Sequence, residues 1–80
     1  MPTRPFTQLT TLGRTIRKAR RDLDLSQEAL AARAGLSSKH VGEIERANKD
    51  PRITTILKLA AALDLTAGEL FARFDERLED

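Results

Sequence analysis

Apolar residues recur at Leu9, Leu12, Ile16, Ala19 and Leu23, alternating steps of three and four that draw one stripe down a helix of about four turns. Arg14, Lys18 and Arg21 project from its opposite face. Ser26 offers a hydroxyl to the free amides of a second helix, Gln27 to Ala34, and Glu28 sits in the first turn, where the helix dipole favours an anion. Gly35 stops that helix, because glycine takes the left-handed C′ conformation at low cost. Ser37 then caps a third helix, Ser38 to about Arg46, with Val41 and Ile44 facing inward. Asn48, Lys49, Asp50 and Pro51 form a polar loop, and Pro51 holds the residue before it extended. A fourth helix accordingly starts near Thr54 and turns Ile56, Leu59, Ala60 and Leu63 inward. Thr66 and Glu69 have the spacing of a capping box and open a fifth helix, with Leu70, Phe71, Phe74 and Leu78 on one stripe. These patterns predict an all-α fold, a compact five-helix bundle with no strand and no internal repeat.

At 80 residues the chain makes one domain of modest core, so a second copy contributing apolar surface is a live option. Three segments follow: a flexible arm over 1–8, the domain proper over 9–71 and an acidic helical extension over 72–80. Upstream helices can close a small core among themselves. Leu70, Phe71, Phe74 and Leu78 are therefore expected to form a homodimer seam, the alternative being that Phe71, and less readily Phe74, folds back to complete the protomer's own core. Cysteine is absent and His40 is the single histidine, which excludes disulfides, thiolate chemistry and a self-contained zinc site. His40 has neither a second histidine nor an activated serine to work with, so no catalytic residue, metal or cofactor is expected. The longest unbroken apolar run is Leu59 to Leu63, and the amino end lacks the apolar core of a signal peptide. The expectation is a cytoplasmic protein with no membrane contact.

Charge changes the picture. The net value is only +2, yet residues 1–52 carry eleven Lys/Arg against six Asp/Glu, and residues 53–80 three against six. A small domain with one basic part points to a polyanionic partner, of which nucleic acid is the commonest, or else to an uneven but merely solvated surface.

Two helices joined through a glycine-containing turn of about three residues cross steeply instead of lying antiparallel, which is the helix-turn-helix unit, here over 26–46. Ala31 is small enough to let the third helix approach the second. Lys39, Gly42, Glu43 and Arg46 are spaced i, i+3, i+4, i+7 and share the face away from the core, with Ser38 and His40 beside them. That face is the candidate groove reader. Gly42 is its odd member, since glycine costs about 1 kcal/mol of helix stability relative to alanine. Either the helix backbone must sit close to a base edge or sugar, or the glycine is merely tolerated. Lys39 can donate to guanine, Glu43 can accept from cytosine or hold Lys39, and Ser38 and His40 can meet bases or phosphates. Ser37, Arg46, Asn48 and Lys49 are phosphate candidates at the two ends of the helix and in its loop.

The segment LSQEALAARAGLSSKHVGEIERANKDPRITTILKLAAALDLTAGELF resembles the Cro/CI-type (Xre family) helix-turn-helix domain of phage repressors and bacterial regulators, over roughly residues 9–71. The resemblance implies a lambda-repressor-like, five-helix DNA-binding domain whose third helix enters the major groove, usually as a homodimer on a palindromic operator. It implies that Gln27 grips a backbone phosphate at the amino end of helix two, and that Arg20 and Glu45 form a structural ion pair between helices one and three. Two residues depart from the family pattern: Ala47 stands where glycine is usual, and Arg52 where serine or threonine caps helix four. The chain's length is similar to that of small Cro-like repressors and restriction-modification controller proteins, with no ligand domain and no small-molecule effector expected. Two rivals remain open, an antitoxin whose main partner is a toxin protein and an accessory module of a nuclease.

Overall fold

The computed structural model describes residues 5–78, and the regular elements among them are five helices: α1 (Pro5–Asp22), α2 (Gln27–Ala34), α3 (Ser38–Glu45), α4 (Ile53–Ala62) and α5 (Ala67–Leu78). The all-α expectation holds for these residues, with each helix in its expected place. The largest boundary difference is at the amino end. Residues 5–8, expected in the arm, begin α1, which opens on a proline whose missing N–H costs nothing at a first helical position. Residues 1–4 of that arm lie outside the described residues. Leu23 also departs from expectation: the helix has ended before it, and it is 38% exposed in the following turn.

Helices α1 to α4 all stop by one device. A residue enters the left-handed region, Asp24 (φ 56°), Gly35 (φ 70°), Ala47 (φ 62°) and Asp64 (φ 59°) in turn. The next amide then reaches back five residues: Leu25 to the Arg20 carbonyl at 3.1 Å, Leu36 to Ala31 at 2.9 Å, Asn48 to Glu43 at 2.8 Å and Leu65 to Ala60 at 2.9 Å. Two of these corners are near copies. Leu23-Asp24-Leu25-Ser26 and Leu63-Asp64-Leu65-Thr66 make the same backbone bonds, and each leads to a fully buried leucine, Leu30 or Leu70.

Helix starts follow the sequence closely. Ser26 Oγ accepts from the Ala29 amide at 3.0 Å and Ser37 Oγ from the His40 amide at 3.1 Å. The Thr66–Glu69 box closes in both directions, at 3.0 and 2.9 Å. Arg52 occupies the N-cap of α4 and makes no side-chain cap bond.

The core joins Ile16 of α1, Leu30 of α2, Val41 and Ile44 of α3, Leu59 of α4 and Leu70 of α5, all nearly inaccessible. Leu70 is a correction: at 0% exposure it belongs to the protomer's own core and is withdrawn from the expected dimer seam. The reason is that α5 packs against both α1 and α4, which carries Leu70 into the shared core. Phe71 and Phe74 are half-buried against the same core, edge to face with centroids 6.4 Å apart, and Leu78 is half-buried too. Backbone meets backbone at Gly13, where a Cβ would lie 2.6 Å from the carbonyl oxygens of both Ile44 and Glu45. Only glycine lets α1 seat the carboxyl end of α3 at this range.

Candidate nucleic-acid interface

Val41 and Ile44, 0% and 1% exposed, set α3 against the core and leave its other face to solvent. Burial fixes which face points outward; a polar clasp fixes the helix along its axis. Arg20 Nε donates to Glu45 Oε2 at 2.7 Å, Arg20 Nη2 to Glu45 Oε1 at 3.0 Å, and Arg20 Nη1 to the Leu25 carbonyl at 2.8 Å. Gln27 Nε2 adds a bond to Glu45 Oε1 at 3.0 Å. The Arg20 and Glu45 side chains are only 10% and 2% exposed. Paired forks of this kind are the form in which a buried carboxylate is best satisfied, and the Glu45 hydrogen bond pushes the Arg20 guanidinium above its already high range. The ion pair expected from the family pattern is present, and it holds more than two helices. It ties the end of α3 to α1, to the α1–α2 turn and to the first residue of α2.

Gln27 departs from its expected role in one respect. Its side-chain amide donates inward to Glu45 instead of standing open toward a phosphate.

On the outer face of α3, Ser38, Lys39 and Arg46 are exposed, while His40 and Glu43 are half-buried. Asn48 and Lys49 are exposed in the loop that follows. Ser37 is engaged as the N-cap, leaving its hydroxyl proton as a donor. Among the described residues no ion pair joins Glu43 to Lys39, so both remain open to other partners. Gly42 is the contradicted member of this face. It is buried, because the Arg46 side chain lies over it, so its backbone is not itself a contact surface.

The charge split along the chain is partly undone in space. Arg14, Arg17, Lys18 and Arg21 of α1 line one shallow cleft together with Arg77 of α5, and Lys18 shares a second, of mixed charge, with Arg73, Arg77, Asp22 and Glu76. Chain position placed those two arginines in the acidic part, and only packing brings them beside α1. Among the described residues no helix is long and apolar enough to cross a membrane.

Two packed helices joined through a left-handed glycine, with the second helix clasped at its far end and open along a polar face, define a helix-turn-helix DNA-binding regulator. A family model described as Helix-turn-helix matches residues 16–70, and the chain belongs to that family, as a transcriptional regulator of the Cro/CI type. It is 34% identical over 65 residues to the HTH-type transcriptional regulator y4dJ of Sinorhizobium fredii, covering 81% of this chain and 84% of that one. Control protein C.SmaI of Serratia marcescens is 34% identical over 62 residues, covering 78% and 74%. Among solved structures, the restriction-modification controller protein C.AhdI from Aeromonas hydrophila superposes with a TM-score of 0.79 at 41% identity, over 82% of this chain and 96% of that one.

Proposed function

We propose that this protein binds double-stranded DNA sequence-specifically, as a homodimer on a palindromic operator, with α3 in the major groove. The observation that carries the reading is the buried Arg20–Glu45–Gln27 clasp, which costs three polar side chains and serves to hold α3 in one orientation. Ser38 and Lys39 at the amino end of α3 take base edges, as does Glu43 one turn on; Asn48 and Lys49 take phosphates. The likeness to the control proteins supports a small regulator whose work is DNA binding and dimerisation.

For the seam, Phe71, Phe74 and Leu78 retain only part of their surface, whereas Ile53 and Leu57, one turn apart on α4, are 58% and 45% exposed. We place the second copy on that α4 pair, with the outer edges of Phe74 and Leu78 contributing where α5 lies beside α4. The same open pair suits a foreign protein, the antitoxin reading; a purified chain that stays monomeric in sedimentation while still binding DNA favours it.

Selection of bound sequences from a random duplex library tests the function. The expected result is a two-fold-symmetric site with half-sites about 10 bp apart, and log affinity falling by roughly 0.9 per phosphate contact for each unit of log salt. No enriched sequence, or affinity indifferent to salt, refutes the reading.

A further inference from the structure

A Cβ built on Gly42 would lie 2.9 Å from Arg46 Nη1, and 3.5 Å from both Cζ and Nη2 of the same guanidinium. The group rests in space that only glycine leaves open. Gly42 is buried beneath it, while Arg46 itself stays exposed. Helix side chains lean toward the amino end. This one leans back to the level of Gly42, about one turn or 5 Å nearer the amino end of α3 than its own backbone. Among the described residues no hydrogen bond or ion pair engages the guanidinium, so its planar set of donors is uncommitted.

We infer that Arg46 reads a base, and that Gly42 is the residue that positions it. A residue at the carboxyl end of a recognition helix ordinarily reaches the sugar-phosphate backbone, because base edges face the helix's amino-terminal part. Folding back over Gly42 moves the Arg46 charge from that periphery about one turn toward the amino end of α3, on the side of the outer face that Gly42 occupies. From there the guanidinium can present two parallel N–H donors to O6 and N7 of a guanine, a pairing a lysine cannot copy. The inference rests on the proposed docking of α3 in the major groove and deepens it. It moves Arg46 from phosphate to base and gives the glycine a cause.

Alanine at 42 tests this without threatening the fold, since helix propensity favours alanine and the obstructed atoms are the free end of a flexible side chain. Sequence selection with the intact chain, Gly42→Ala, Arg46→Ala, Arg46→Lys and the double Gly42→Ala/Arg46→Ala variant is followed by competition against operators altered one base pair at a time. Arg46→Ala should lower discrimination at one guanine position on the order of 10- to 100-fold. Gly42→Ala should lower it at that same position while affinity for random DNA holds. The double variant should lose no more than Arg46→Ala, and Arg46→Lys should not restore the preference. Unchanged discrimination in Gly42→Ala overturns the inference, as does an Arg46→Ala loss that is equal on selected and random DNA. Both outcomes leave the proposed function standing, whereas a parent protein that selects no sequence overturns the two together.

Discussion

Two residues that depart from the family pattern turn out to have local consequences of the same sign. Ala47 is held at φ 62°, a conformation that costs an L-residue about 1–2 kcal/mol and glycine almost nothing. Ala47→Gly should raise stability by about 1 kcal/mol, read as a higher urea midpoint at unchanged slope. Arg52 has the extended backbone of an N-cap, φ −64° and ψ 154°, with no side-chain oxygen to offer the first turn of α4. Arg52→Ser should also add about 1 kcal/mol by the same measurement; a neutral result would mean that solvent already satisfies those amides. Both positions were visible in the sequence as departures, but what each costs depended on dihedral angles. Gly13 carried a signal that went unread, a helix-weakening residue beside an apolar stripe, and its close approach explains it.

Helices are joined here by a few polar contacts whose loss is large. Arg20→Met leaves the Glu45 carboxylate, 2% exposed, with Gln27 as its remaining partner, and frees the Leu25 carbonyl. The expected cost is about 3 kcal/mol of unfolding free energy, the usual penalty for stranding one half of a buried pair. A loss near zero in chemical denaturation would show that the clasp orients α3 without stabilising the fold. At the start of α5, the Thr66 backbone amide, then its hydroxyl, holds the Glu69 carboxyl below its ordinary value of 4.5. A carboxyl lowered by folding contributes stability that is complete above the unfolded value and is lost as pH falls through the folded one. Glu69→Gln should therefore be less stable than the parent near neutrality and converge with it only as pH falls through the lowered folded-state value, in a series of thermal midpoints. Asp22 is lowered in the same direction by its hydrogen bond from Lys18, so a residual acid sensitivity should survive in that variant. Caps and stops of this kind were legible beforehand because they are decided within one turn of chain. The Arg20–Glu45 pair lies 25 residues apart and was legible only through the family pattern.

For the whole molecule the open question is what meets the α4 surface. Ile53 and Leu57 lie outside the core, so Leu57→Asp should leave a folded chain, whereas Phe74→Asp would damage core packing as well. Sedimentation of Leu57→Asp should show a monomer of unchanged helix content. Its affinity for the two-half-site operator should fall on the order of 100-fold, because each half-site would then be bound without its tethered neighbour. An intact dimer would move the seam elsewhere.

Periodicity, capping residues and turn glycine determined the five helices, their order and, Leu23 apart, the inward positions of α1 to α4, because each of these is set by interactions reaching no further than about five residues. They also determined which face of α3 turns away from the core. Tertiary structure decided the rest. An apolar stripe says that a helix needs a neighbour without saying which, so Leu70 read as open to a second copy and proved to be the protomer's own core. Charge counted along a chain ignores where distant helices come to lie, so Arg73 and Arg77 read as part of an acidic end and sit with the cations of α1. Spacing puts Gly42 and Arg46 on one face; only packing lays the guanidinium across the glycine, because that choice is made by a side-chain rotamer and the space around it.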